Sequence, residues 1–212
     1  MRNARVIDVQ AFHHTARIEL LDGPLAGEIR WAVFYPEMGP APNPEDSVLV
    51  NTVGLEMGLG TGGLAVILPP AGGQTPVNVD HFVKLPYTPL QFPVSPAPQA
   101  TSLQGVPVIV LPLHSHLAPA CCAAADLRPG LRVAFVWQEG GALPVAFSHS
   151  ARTLRDKGLL HAVVSCGNCF GGDLESPNVY SGLLAAAAAA DVVVVGIGPG
   201  VIGTHAPFGH GG

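Results

Sequence analysis

The sequence has little charge and almost no lysine. Charged residues make up 12% of the 212 residues, and only Lys84 and Lys157 of the ten basic residues are lysines. Soluble domains typically carry about 25% charged residues. Little charge is therefore left to cover the surface, and we predict a homo-oligomer. The net charge of −5 provides no electrostatic reason to expect a nucleic-acid partner.

Long apolar runs are also lacking. The longest apolar stretch, residues 183–197, is interrupted by Asp191, and it is too short to cross a bilayer as a helix. Residues 1–10 contain charges where a secretory signal would have its apolar core. We therefore predict a cytoplasmic protein with no membrane partner, in which the four cysteines are reduced thiols.

Glycine and proline are abundant, with 26 and 21 residues, which predicts many turns and short elements. The hydrophobic share of 48% excludes intrinsic disorder. Fifteen of the 21 prolines precede Leu113, so the chain changes character near residue 100. This change divides the chain into two domains of different class.

The first part predicts short β-strands separated by turn signals, at residues 5–9, 14–20, 28–35, 47–53, 64–68 and 79–85. Short strands with frequent turns and no helical period favour a small antiparallel β-barrel-like domain, which we place at residues 1–95. Residues 86–98 hold five prolines and predict an extended segment, anchored by the apolar Tyr87, Leu90 and Phe92. We place a Pro-rich connector at residues 96–105.

The second part, residues 106–212, alternates between strand and helix patterns. Apolar strands are predicted at 106–111, 131–137, 160–165 and 191–196, with helices at 116–125, 143–157 and 177–190. Ser176 is predicted as the N-cap of the last helix, with Pro177 at its first position. Consecutive β-α-β repeats with uncharged strands indicate a three-layer parallel-sheet α/β domain.

Ligands of open parallel sheets bind outside the carboxyl ends of the strands. The loops that follow the predicted strands carry most of the polar residues and glycines of this domain, which predicts one rim for a small ligand. Glu139 and Asp173 are the candidate catalytic acid/base residues, although Asp173 could instead stabilise a helix dipole. The candidate ligand-binding residues are His114, Gly140, Gly141, Gly171, Gly172, Gly198, Gly200 and Gly203.

Two of these glycine groups also have a structural interpretation. Gly198, Gly200 and Gly203 match the spacing GxGxxG, but no helical pattern follows as a dinucleotide site requires. A close approach of backbone to a ligand or to another loop is the favoured alternative. Gly140 and Gly141 precede a predicted helix, so their amides could hold an anion, or they form an ordinary β-to-α turn.

Cys166 and Cys169 have the spacing of zinc ligands and of redox pairs. His114, His116 and His205 lie on the same predicted rim and could complete a zinc site. Two inert thiols are the favoured alternative, and we assign no metal site and no cofactor.

Several motifs occur across both predicted domains: residues 59–63 (LGTGG), Lys84-Leu85, Leu113-His114-Ser115, residues 170–175 (FGGDLE) and residues 198–204 (GPGVIGT). With these motifs the sequence resembles an uncharacterised bacterial family, domain of unknown function 3866. The resemblance implies no particular activity. It implies further α/β structure, so the domain at 106–212 is expected to be truncated at its C-terminus. Cys166 and Cys169 do not match the family's Gly-Gly-Asp loop.

We therefore predict that a small polar or anionic metabolite binds at the carboxyl edge of the sheet, with or without catalysis. The alternatives are a non-catalytic binding or regulatory module and an oligomeric scaffold protein.

Overall fold

A computed structural model of the chain describes residues 1–58, 63–70, 82–86, 90–98, 100–201, 203–204 and 206–209. The chain forms two compact units, Met1–Pro76 and Val77–Gly212. Some sequence predictions fall outside the described residues, namely the family motif at 59–62, the start of the predicted strand 79–85, the anchor Tyr87 and the zinc candidate His205. The domain bounds 1–95, 96–105 and 106–212 stay a prediction.

The first unit is a closed five-stranded barrel with the strand order β1-β2-β3-β5-β4, which confirms the predicted barrel. Its strands are β1 (Arg2–Gln10), β2 (Thr15–Leu20), β3 (Ile29–Val33), β4 (Ser47–Asn51) and β5 (Leu64–Ile67), and the short helix α1 (Val53–Glu56) precedes β5. Four of the strand pairs are antiparallel, and β3 pairs with β5 in parallel.

Alternating side chains build the barrel interior. In β2, Ala16, Ile18 and Leu20 are fully buried, whereas Arg17 and Glu19 between them are partly exposed. Because successive side chains of a strand point to opposite faces, this strand contributes one row to the core and one row to the outer surface.

The second unit contains a sheet of five parallel strands in the order β11-β10-β9-β12-β8. Its strands are β8 (Val108–Leu111), β9 (Val133–Gln138), β10 (Ala162–Cys166), β11 (Leu174–Ser176) and β12 (Val192–Ile197), and its helices are α2 (Leu117–Leu127), α3 (His149–Asp156) and α4 (Val179–Ala189). A small antiparallel hairpin, β6 (Val83–Lys84) and β7 (Phe92–Pro93), belongs to the same unit.

Helices cover both faces of this sheet. Phe135 and Trp137 of β9 pack in the core that includes Leu117 of α2 and Leu154 of α3. Ala134 and Val136, which alternate with them, pack in a second core with Ala185 and Ala186 of α4. The predicted three-layer parallel α/β architecture is therefore confirmed. None of the helices in the described part of the chain has the length and apolar character needed to cross a bilayer.

Two helix starts were predicted too early. The predicted helix 143–157 begins only at His149, with Ser148 as its N-cap. The Leu143 carbonyl and the Val145 N–H are hydrogen-bonded to the backbone of Phe170, so they are not available for an α-helix, and only a 3-10 turn at Val145–Phe147 precedes α3. Asn178, not Ser176, caps α4, because Ser176 ends strand β11, which the sequence analysis did not predict.

Pro96 and Ala97 of the Pro-rich segment cover the outer edge of β11, which is the last strand on that side of the sheet. Ala97 N donates to Glu175 O at 2.8 Å, and Pro96 bridges the same residue in parallel. Phe92 is buried and packs edge-on against Phe170 with ring centroids 5.3 Å apart, as predicted for an anchor, whereas Leu90 is 47% exposed.

Gly182 lies where α4 packs closely against the sheet. A Cβ at this position would lie 2.4 Å from Cys166 Sγ and 3.3 Å from Val136 Cγ1. Gly182→Ala should destabilise the α/β unit, because overpacking costs roughly 1–3 kcal/mol and outweighs the helix-propensity gain of about 1 kcal/mol. The measurement is urea unfolding followed by Trp137 fluorescence in a Trp31→Phe background.

Adding Cys166→Ala to Gly182→Ala removes the clashing sulfur and should recover part of the lost stability. Tyr180→Ala, at a position of the same helix that is 77% exposed, serves as the control. A Gly182→Ala protein as stable as the wild type would contradict the packing seen here.

Candidate functional site

His114 lies at the carboxyl edge of the sheet, where three segments converge. It follows strand β8, and its Nδ1 is 3.1 Å from the carbonyl oxygen of Ile197 at the end of β12. Its Nε2 is 2.7 Å from Oγ of Ser148, the N-cap of α3. Because a carbonyl only accepts, Nδ1 carries the proton and donates to Ile197, which leaves Nε2 to accept from the Ser148 hydroxyl.

Burial of His114 favours its neutral form. The ring packs beside Trp137 and Phe135, with centroids 5.1 and 5.8 Å away, and burial lowers its pKa below the ordinary value of 6.5, partly opposed by the hydrogen bond to Ile197. A neutral imidazole that accepts from a hydroxyl is the arrangement of a base next to a nucleophile. Ser148 also accepts from Ala151 N and is only 1% exposed, so its hydroxyl is part of the helix cap as well.

Glu139 also lies at the carboxyl edge, directly after β9, and its side chain is exposed. Its carboxylate accepts a hydrogen bond from the backbone N–H of Asn168 in the loop after β10. Gly167, beside this carboxylate, has a φ of 60°, a left-handed backbone conformation that favours glycine. Glu139 therefore links two neighbouring loops of the edge.

Asp173 lies at the opposite edge, and its predicted place on the rim was wrong. It immediately precedes β11 and sits beside Val163, near the start of β10, where its Oδ2 accepts from Val163 N at 2.8 Å. Three residues of β10 separate this level from the carboxyl end, or about 10 Å at a rise of ~3.3 Å per residue. Its other oxygen pairs with Arg155 at 2.6 Å. The structure thus separates the two predicted acid/base residues.

The reason for this placement is the short crossover between two parallel strands. Residues 167–173 run from the carboxyl end of β10 back to the start of β11, close against β10. Gly171 N donates to Glu175 Oε1 at 2.9 Å, and Gly172 N donates to Ser165 Oγ at 2.8 Å. The amides of these two predicted ligand-binding glycines are therefore bonded within the protein.

The glycines after β9 and β12 pack against each other. A Cβ on Gly141 would lie 2.3 Å from Gly198 O, and one on Gly198 would lie 2.5 Å from both Ala142 O and the Trp137 ring. Close approach of two loops, the structural alternative, accounts for both glycines. Of the other candidates at this edge, Gly140 and Gly200 have positive φ angles of 125° and 71°, and Gly203 is exposed.

Gly140 and Gly141 do not begin a helix: residues 139–141 and 143 form bends, the first helical turn is the 3-10 turn Val145–Phe147, and the next α-helix, α3, begins at His149. The helix-terminus anion site that they suggested in the sequence is therefore not formed by these two residues.

Cys166 and Cys169 belong to different cores. Cys166 packs beneath α4, and Cys169 packs in the core beneath α2 and α3. Burial raises the pKa of both thiols to about 12, which keeps them protonated and unreactive. Among the described residues, no group of three or more His, Cys, Asp or Glu side chains is placed to hold a metal ion.

A buried ion pair that the sequence analysis did not find lies at the ends of β10 and β11. Lys84, in the hairpin strand β6, is 0% exposed, and its Nζ is 3.0 Å from Glu175 Oε2. Nζ also donates toward three backbone carbonyls, those of Ser165, Gly167 and Ser176, at 3.3, 2.8 and 3.2 Å. The ammonium thus occupies the crevice where two strand ends diverge.

In open parallel sheets, ligands bind where the connections after two adjacent strands run in different directions. The segment after β10 stays close to the sheet, whereas the segment after β11 leads into α4, so this crevice is a place of that kind. Burial raises the pKa of Glu175, and the charge of Lys84 opposes that rise. The sequence offered one indication that Lys84 is special, because it is one of only two lysines. No motif or residue spacing in the sequence connects Lys84 to Glu175.

The barrel unit has a cavity of about 240 Å³, lined by residues that include Phe34, Tyr35, Asp46 and Pro69. The Asp46 carboxylate accepts from Asn43 N at 2.7 Å, and burial raises the pKa of Tyr35 so that its phenol stays protonated. This volume is slightly below the usual range of about 300–1,000 Å³ for small-molecule sites, and none of the candidate site residues from the sequence analysis lines the cavity.

These observations define a two-unit protein, a five-stranded barrel followed by a parallel α/β unit with a histidine–serine pair at the carboxyl edge of its sheet. The family model described as "Protein of unknown function (DUF3866)" matches residues 31–212, and the chain therefore belongs to this family. This confirms the resemblance seen in the sequence. Searches of the curated proteins and of the solved structures found no match.

The Lys84–Glu175 pair predicts a large loss of stability when one partner is removed. Lys84→Met leaves a buried carboxylate without its cation and should cost about 3–5 kcal/mol. The double variant Lys84→Met/Glu175→Gln should lose less than Lys84→Met alone, because no charge is then buried. Urea unfolding followed by Trp137 fluorescence measures both, and Asp191→Asn, which breaks the exposed pair with Arg132, is the control with little expected change.

The lowered pKa of His114 predicts a pH dependence of stability. The unfolded chain takes up a proton near pH 6.5, whereas the folded protein keeps His114 neutral to lower pH. The unfolded state therefore binds more protons in this window, and stability falls as the pH drops below about 6.5. His114→Gln should make this decline shallower between about pH 8 and pH 5, and Tyr180→Ala should not. An unchanged slope in His114→Gln would exclude this role.

Proposed function

We propose that the α/β unit binds a small polar or anionic metabolite at the carboxyl edge of its sheet, around His114. The observation that carries the proposal is the half-buried imidazole held between Ser148 and Ile197. In this tautomer Nε2 is the acceptor nitrogen and receives the hydrogen bond of the Ser148 hydroxyl. A hydroxyl of the ligand would compete with Ser148 for Nε2.

Other side chains at this edge support the proposal. Ser115 and His116 follow His114 and are exposed, and Glu139 supplies an exposed carboxylate from the loop after β9. Parallel α/β units bind ligands with side chains from separate loops at the ends of their strands. Because the Gly171 and Gly172 amides donate to Glu175 and Ser165, and Gly141 and Gly198 pack against other loops, we expect side chains to hold the ligand.

Catalysis at this edge would use Glu139 and His114. In this proposal His114 accepts a proton from a hydroxyl, and Glu139 is the second acid/base group. Joint action of Glu139 with Asp173 is not part of it, because Asp173 is held at the opposite edge by Val163 and Arg155.

The test is a thermal-shift screen of the wild-type protein with hydroxy acids, sugar phosphates and nucleotides at millimolar concentration, followed by calorimetric titration of any compound that raises Tm. We expect His114→Gln to weaken binding of such a compound by about tenfold or more, the loss of one good hydrogen bond. His161→Gln, an exposed histidine beside the start of β9, is the matched control. No response to any class, or equal binding by both variants, would defeat the proposal.

A second candidate function is the assembly of several copies of this chain. Strand β8, at the end of the sheet opposite to β11, favours it.

A further inference from the structure

Strand β8 ends the parallel sheet on one side. It pairs with β12 along Val108–Leu111, and no strand in the described part of the chain pairs with its other side. The outer backbone N–H and C=O groups of such an edge are a template for pairing with another strand.

The side chains of β8 are unusually exposed for a parallel strand. Val110 is 73% exposed and Ile109 is 38% exposed, and neighbouring residues of a strand point to opposite faces. In contrast, Val193 and Val194 of the adjacent β12 are fully buried. Strands of parallel sheets are ordinarily covered on both faces. In β8, Leu111 is buried in the core beside α2 and Val108 packs partly against the core beneath α4, but Val110 and, to a smaller extent, Ile109 are exposed, and the described residues place no strand along the outer edge.

The region around β8 carries no protective charge. Residues 85–125 contain no Asp, Glu, Lys or Arg, although charges, lysine above all, are the usual means of blocking an open edge. Pro107 and Pro112 flank the strand and limit further pairing to the four residues between them, because proline cannot donate to a ladder.

We propose that β8 pairs antiparallel with β8 of a second copy of this chain, joining two five-stranded sheets into one continuous sheet. A two-fold interface brings the same residues of both copies together, so any charge on the strand would face its own copy. The uncharged, apolar Val108–Leu111 segment meets this requirement, and its short length between two prolines matches a partner of equal length. Leu113, 52% exposed just after the strand, extends the apolar surface.

The experiment is sedimentation equilibrium of the wild-type chain from low micromolar to several hundred micromolar concentration. We expect a concentration-dependent dimer of twice the 21.8 kDa chain mass. Val110→Lys places two ammonium groups beside the two-fold axis and should raise the dimer Kd by about 100-fold or more. Tyr180→Lys, at a similarly exposed position on α4, should leave the Kd unchanged.

A second measurement on the wild type does not depend on the variant folding. Hydrogen exchange of the amides in Val108–Leu111 should slow as the protein concentration rises through the dimer Kd. A monomer at the highest concentration, a dimer that Val110→Lys leaves intact, or exchange in β8 that is independent of concentration would each overturn the proposal. None of these results depends on whether a ligand binds at His114.

Discussion

The ammonium group of Lys84 fixes the carboxyl ends of β10 and β11. It lies in a crevice of carbonyl oxygens and one carboxylate with no exposure to solvent, where a charge is tolerated only when it is fully paired. The lysine belongs to the β6–β7 hairpin, so the same contact ties this hairpin to the sheet. The Pro-rich segment that follows can then cover the edge of β11.

The carboxyl edge is consequently more closed than its glycine content suggests. Gly141 and Gly198 allow two loops to touch, and Gly171 and Gly172 satisfy Glu175 and Ser165. The crevice between the ends of β10 and β11 is filled by the Lys84 ammonium. The exposed polar side chains at this edge include Ser115, His116, Glu139 and Asn168.

Periodicity in the sequence was sufficient for the architecture but not for the connections. Apolar runs such as Val192–Ile197 predicted buried parallel strands, because no charge interrupts them. The crossover of residues 167–173 was not predicted, and its seven residues are fewer than the dozen or more that usually join parallel strands. Without it, Asp173 was assigned to the rim, and Ser176 to a helix cap.

The sequence by itself determined the two-unit organisation, the barrel and the three-layer sheet, because these follow from local hydrophobic period and turn residues. It also placed His114 and Glu139 at the strand ends. Only the tertiary structure decided which partners these groups have. Pairing of Lys84 with Glu175, of His114 with Ser148 and of Asp173 with Arg155 joins residues distant in the chain, and such contacts depend on strand order and register, which local sequence patterns do not encode.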